Sequence, residues 1–269
     1  MASVFDKPMS DAGYIHGGTD PLEVARLEKQ ARFCAPWIFS DLDLQPGMRV
    51  LDLATGVGAM AAQLRARYPG IHLAGVDLSK DQLAAARKNH PEVPVLRGDA
   101  SRLPFADGTF DRVHCSWLLE HLREPLPVLR EVQRVLKTGG HCHFTEVDNS
   151  TFRSVPEYPE VVDAISALNA AQQRSGGDPY VGLKLKRYFT DAGFSRVALR
   201  PAVHLGSSAD PVFFQAFIDE FAEIFEGVTK TLPQLRLTLE AAAEKLRGLP
   251  KLPGATLHYT AVVAKGFKE

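Results

Sequence analysis

Between Arg49 and Val147 the chain alternates short apolar runs with amphipathic segments, and this alternation limits the folds open to it. The runs RVLDLA (from Arg49), HLAGVD (from His72), PVLRGD (from Pro94), DRVHCSW (from Asp111) and HCHFTEV (from His141) read as strands. DQLAAARKNH and PLPVLREVQRVLK, between them, carry helical periodicity. The link from the third strand to the fourth reads mostly as loop. Such alternation makes a parallel sheet with helices on both faces. Ligands then collect outside the carboxyl ends of the strands, so functional side chains are expected where the runs end.

The flanks are less regular. Asp20-Pro21 with Glu23 predicts a capped helix, whose buried face carries Leu27, Ala31, Cys34 and Ile38. Past Asn149 a helix is expected over Pro159 to Arg174, and after the SGGDP loop a second one ends at Gly193. SRVALRPAV (from Ser195) and TLHYTAVVAK (from Thr256) read as two more strands. The insert between them is helical by pattern, with Phe214, Phe217, Ile218, Phe221, Ile224, Phe225 and Val228 at helical spacing. That stripe reads first as core, a reading compatible with a helical cap whose aromatic face lines a substrate pocket.

The formal net charge of -1 and pI near 6.8 give the chain no electrostatic draw toward nucleic acid or acidic membranes. Three cysteines without metal-type spacing read as reduced thiols in a cytoplasmic protein. No apolar run is long enough to span a bilayer, and the first residues lack the apolar core of a secretory signal.

Gly56-Val57-Gly58-Ala59-Met60-Ala61 satisfies the G-x-G-x-x-G/A spacing of dinucleotide sites, and Asp77 follows at about the expected distance. A nicotinamide enzyme is therefore a candidate. Three features weigh against it. Asp52 precedes the loop, where a carboxylate disfavours pyrophosphate and suits a cationic group. Asp99-Ala100 ends the third strand, where a carboxylate and a backbone N–H can read an adenine edge. The chain also closes with an extra strand pair instead of a second mononucleotide half.

VLDLATGVG, GVDLS, GDASRLPFADGTFDRV, LLEHL and REVQRVLKTGG, in that order, resemble the class I S-adenosylmethionine-dependent methyltransferases. Within that family the chain is most similar to the branch of ubiquinone, menaquinone and natural-product methyltransferases. The resemblance covers Tyr14 to Val147 well and the remainder in pattern only. It implies a Rossmann-like, doubly wound α/β sheet of about seven strands, mostly parallel, with one antiparallel C-terminal strand. An N-terminal helical lid over residues 1–40, a cofactor core over 45–150 and a substrate side over 151–269 would then form one domain.

The resemblance also implies roles. Asp52 and the loop from Ala54 through Gly56 to Gly58 would face the methionine moiety of S-adenosylmethionine. Asp77 would take both ribose hydroxyls, and Leu78 would pack on the adenine. Asp99 and Ala100 would read the adenine edge, and Ser116 would lie under the cofactor. Tyr14 would fold over it as a lid residue, or pack at the helix start. Ala54 replaces the first glycine of the family loop and is expected to keep a negative φ.

Methyl transfer from a sulfonium needs alignment and exclusion of water, and a base only when the acceptor holds its proton firmly. His121, in LLEHL, and Glu146, near the end of the fifth strand, are the candidate catalytic residues, each with a structural role as the alternative. His141 and His143 start that strand and read as structural. Asp148-Asn149 matches part of a metal-dependent pattern, but the segment CSWLLEH lacks the further aspartate, so no metal is expected.

The expected reaction is methylation of a small, partly apolar or aromatic acceptor, at oxygen or carbon before nitrogen, in secondary-metabolite or quinone-like biosynthesis. S-adenosylhomocysteine would be the product. Rival readings are a cofactor-binding scaffold, cyclase or regulatory partner that does not methylate and, more distantly, an NAD(P) oxidoreductase. No nucleic-acid or membrane partner is expected, and monomer and homodimer remain open.

Overall fold

The computed structural model describes residues 20–269, and Tyr14 lies outside the described residues. The alternating segment forms a parallel sheet. β1 (Arg49–Leu53) lies between β2 (His72–Asp77) and β4 (Phe110–Ser116), with β3 (Val95–Arg97) outside β2. β5 (Leu136–Val155) continues the sheet beside β4. The chain then places β7 (Thr256–Phe267) antiparallel between β5 and β6 (Ser195–Ser207). The strand order is β3-β2-β1-β4-β5-β7-β6, with β7 the one antiparallel member among the described residues, as expected. The order reverses between β1 and β4, so their carboxyl ends border the crevice where such sheets hold ligands.

β5 is longer than the run from His141 predicts. It starts at Leu136 and tolerates Gly139-Gly140 through a register shift against β4. A second irregularity between Asp148 and Arg153 bends its far end. His141 and His143 therefore sit inside the strand instead of at its start.

α2 (Ala59–Arg67) and α3 (Lys80–Asn89) follow β1 and β2, no helix separates β3 from β4, and α4 (Leu126–Val135) precedes β5. α5 (Pro159–Arg174) and α6 (Leu185–Asp191) lead into β6, and the insert forms α7 (Pro211–Val228) and α8 (Arg236–Gly248). The phenylalanine stripe is core along part of its face and cavity wall along the rest. Phe214, Phe217, Ile218, Phe225 and Val228 are buried, each contributing roughly 2 kcal/mol. Phe221 and Ile224 are half-buried and border a cavity, as do Phe217 and Phe225.

α1 (Pro21–Ile38) closes that cavity from the other side. Asp20 caps it, accepting from the Leu22 N–H at 2.9 Å. Glu23 gives both carboxylate oxygens to Arg26, at 2.7 and 2.8 Å, and Arg26 also donates to Glu220 on α7 at 2.6 Å. Lys29–Glu223 and Lys230–Asp20 extend this strap between helices 194 and more residues apart. The Arg26 group is almost fully buried, where losing one partner strands the others without water.

Gly58, at the start of α2, has φ +80°, and a β-carbon there would sit 3.1 Å from Ala86 Cβ on α3. Gly58→Ala is expected to lose about 1–2 kcal/mol from the left-handed backbone alone. Urea unfolding measures it, and a variant as stable as the parent would show that this turn relaxes freely.

Candidate functional site

The site begins with a carboxylate buried between two strands. Register pairs Asp52 on β1 with His114 on β4, so the two side chains share one face of the sheet. His114 Nδ1 lies 2.7 Å from Asp52 Oδ1, and Thr55 donates its hydroxyl to Asp52 Oδ2 at 2.6 Å. The second bond folds the loop back toward β1, and Ala54, within the turn, has φ +55°. This corrects the expectation of a negative φ. The turn holds alanine in the region that glycine enters freely, at a cost of about 1 kcal/mol.

Gly56 follows at φ +56°, and a β-carbon there would lie 2.8 Å from Gln82 Oε1. Its N–H donates to Asp77 Oδ2 at 2.9 Å, while the Ser79 N–H holds Oδ1 at 2.8 Å. Burial raises the Asp77 carboxyl above its ordinary value. Asp99 stands two residues beyond β3, and its Oδ1 accepts from the Ser101 N–H and hydroxyl. Leu78 is partly exposed, its carbonyl accepting from Arg97 at the end of β3, and Ala100 packs against the main core.

A cavity of about 230 Å³ runs from this loop to α7. Asp52, Ala54, Gly56, Ser116, His121, Phe221, Ile224 and Tyr259 all border it. Asp77, Leu78, Asp99 and Ala100 flank the loop side without bordering the cavity. Gly58 packs into the α2–α3 contact. The structure thus gathers Asp52, Ala54, Gly56, Ser116 and His121 around one space.

Glu146 is placed differently. It lies within β5, fully buried, and accepts from the backbone N–H groups of Leu118, Leu119 and Glu120 at 3.1, 2.8 and 3.2 Å. It organises the 3₁₀ turn Leu119–His121 and does not border the cavity. Burial and the neighbouring Glu120 push its carboxyl up to about 8. His143 bonds Asp41 at 3.0 Å, and burial pushes His141 down to about 3. Asp148 accepts from Ser150, and Asn149 bonds Asn169 and Tyr259. Among the described residues no group of three or more His, Cys, Asp or Glu is placed to hold a metal ion.

Several lining residues escaped the sequence reading, notably His114, Trp37, Tyr259 and His204. His114 precedes Ser116 by two positions and so shares its face, a signal that strand alternation carries. Trp37 lies one turn beyond Phe33 on α1. Its ring stands 4.5 Å from His204 and 6.5 Å from Trp117, giving that wall an aromatic surface.

Carboxylates stand at or just beyond the ends of β1, β2 and β3. The one lysine or arginine among the described lining residues is Arg26, already engaged by Glu23 and Glu220. That set of acceptors fits a cationic ligand bearing ribose hydroxyls and leaves a pyrophosphate without a counter-charge.

The comparisons agree. A family model described as a methyltransferase domain matches residues 51–144. Demethylmenaquinone methyltransferase of Renibacterium salmoninarum is 34% identical over 171 residues, covering 58% of this chain and 70% of the relative. The enzyme of the same name from Streptomyces avermitilis is 34% identical, covering 59% and 73%. Among solved structures, the [4+2]-cyclase SpnF superposes with a TM-score of 0.61 at 20% identity, over 97% of each chain. Phosphoethanolamine N-methyltransferase 2 of Haemonchus contortus, complexed with S-adenosylhomocysteine, gives 0.56 at 18% identity, covering 93% of this chain and 59% of that one. The chain belongs to the class I S-adenosylmethionine-dependent methyltransferases.

The raised Glu146 carboxyl has a thermodynamic consequence. The folded protein keeps a proton that the unfolded chain releases between about pH 4.5 and 8, so this group's contribution to stability falls as pH rises through that window. Glu146→Gln removes the group. Denaturant unfolding at several pH values should show the variant gaining on the parent as pH rises, and a constant difference would place the Glu146 titration outside the window.

Proposed function

We propose that this chain moves the methyl group of S-adenosylmethionine to a small, partly apolar or aromatic acceptor, at oxygen or carbon before nitrogen. The observation that carries this reading is one cavity joining a carboxylate-flanked glycine loop to the aromatic face of α7. The names of the relatives support a quinone-like acceptor within that class.

The bound cofactor supplies an electrophilic methyl and departs as a neutral thioether. The protein supplies the rest. Asp77, fixed by two N–H groups, presents a carboxylate to the ribose, with Leu78, Asp99 and Ala100 on the adenine side. The Ala54–Gly58 loop faces the methionine end. Asp52 has both oxygens engaged, so it shapes this loop more than it grips the ligand. Ser116 borders the same cavity. His121 faces the acceptor, held by the turn that Glu146 organises, and the α1–α7 strap shields the reaction from water. The whole acts as one methyltransferase domain, with 45–150 on the cofactor side and 151–269 on the acceptor side.

Calorimetric titration with S-adenosylmethionine, S-adenosylhomocysteine and NADH tests the cofactor assignment. Sulfonium and thioether should bind, and NADH binding in their place would overturn the reading. Asp77→Ala should weaken S-adenosylhomocysteine by about 1–3 kcal/mol, roughly 5- to 150-fold, through loss of charged hydrogen bonds. An unchanged affinity would remove Asp77 from the ribose. Incubating the protein with labelled cofactor and candidate phenols reports transfer directly. Binding without label transfer to any acceptor would favour a scaffold or cyclase.

A further inference from the structure

The end of β4 adds His114 and Ser116 to the carboxylate that shapes the glycine loop. His114 and Ser116 leave the strand on the same face, and Ser116 Oγ lies 3.3 Å from His114 Nε2. On its other side the imidazole meets Asp52 at 2.7 Å, and Asp52 is braced by Thr55. An ionised carboxylate only accepts, so it fixes the ring proton on Nδ1 and turns the Nε2 lone pair toward the serine hydroxyl. Asp52 and His114 are almost fully buried, and all three residues border the cavity. Hydroxyl, imidazole and carboxylate in this order can take up a proton and stabilise the imidazolium that results.

The same order of groups can also activate a serine as an acyl-transfer nucleophile. That use needs N–H groups beside the serine to hold an oxyanion. Here the Trp117 N–H donates to the Thr145 carbonyl at 2.9 Å, and those of Leu118 and Leu119 donate to Glu146. With these donors committed, the arrangement is suited to moving a proton and not to acyl transfer.

Resting on the methyl-transfer reading above, we propose that Ser116, His114 and Asp52 form a relay that removes the proton of a phenolic or enolic hydroxyl while its oxygen is methylated. The acceptor O–H bond breaks, and an oxygen electron pair forms the new C–O bond. The C–S bond of the sulfonium breaks, leaving its pair on sulfur. The acceptor's proton passes to Ser116 Oγ as the serine proton passes to His114 Nε2. The sulfonium's positive charge is thereby replaced by an imidazolium beside Asp52, which returns its proton to water after product release. Ser116 is the catalytic residue, and Asp52 and Thr55 position the imidazole.

Two measurements test the relay. In ¹⁵N-histidine spectra of the S-adenosylhomocysteine complex at neutral pH, the signal lost in His114→Gln should report a neutral ring protonated at Nδ1. Asp52→Asn should shift that proton to Nε2. A ring protonated at Nε2 in the parent, or on both nitrogens, overturns the relay whatever the turnover. With S-adenosylmethionine as donor, 4-methoxyphenol and 4-nitrophenol then serve as acceptor probes. Ser116→Ala and His114→Gln should lower kcat for 4-methoxyphenol by about 100-fold or more, and for the readily ionised 4-nitrophenol by less than about tenfold. Equal losses on both probes, or a cofactor-bound parent that methylates neither, overturn the proposal. A protein that binds no S-adenosylhomocysteine overturns instead the methyl-transfer reading beneath it.

Discussion

The pairing of Asp52 with His114 and Thr55 is the interaction around which the rest of the site is arranged. A carboxylate buried between two parallel strands is costly unless both oxygens are satisfied. Here one oxygen ties β1 to β4 and the other folds the glycine loop. The fold of that loop puts Ala54 in the left-handed region and brings the Gly56 N–H to Asp77, while the bond to the other oxygen aims the imidazole at Ser116. One buried charge thus sets the loop geometry and the chemical character of the adjoining strand end.

Much of this was legible in the residues. Strand and helix alternation specified the parallel sheet, and the carboxylates after three runs specified a cationic ligand over a pyrophosphate. These features are local, and each depends on spacing within one segment. What escaped depends on register. Nothing in RVLDLA or in DRVHCSW alone says that Asp52 and His114 are neighbours, because that follows only once β1 and β4 are aligned. The conformation of Ala54 failed for a related reason, since residue preference favoured negative φ while a side-chain bond three positions apart dictated the turn. Glu146 was found at a strand end by its position in the run. A longer β5 moved it inside, where backbone N–H groups took its carboxylate.

The α7 wall of the cavity shows a different division of labour. The helical insert reads as amphipathic, and its buried residues anchor α7 while Phe221 and Ile224 turn toward the cavity. The element that completes this wall comes from the opposite end of the chain. Arg26 and Lys29 of α1 reach glutamates of α7, so the enclosure over the site joins segments that share no local sequence signal. Ion pairs join α1 to α7, and aromatic side chains line the space between them.

Both tryptophans of the chain, Trp37 and Trp117, border this one cavity and meet edge to face. Trp117 is itself held at φ +56° directly after Ser116. The indole emission of this chain therefore originates at the wall of this cavity. The molecule carries its own optical probe of occupancy, one ring on α1 and one directly after β4, with no other tryptophan in the chain to dilute the signal.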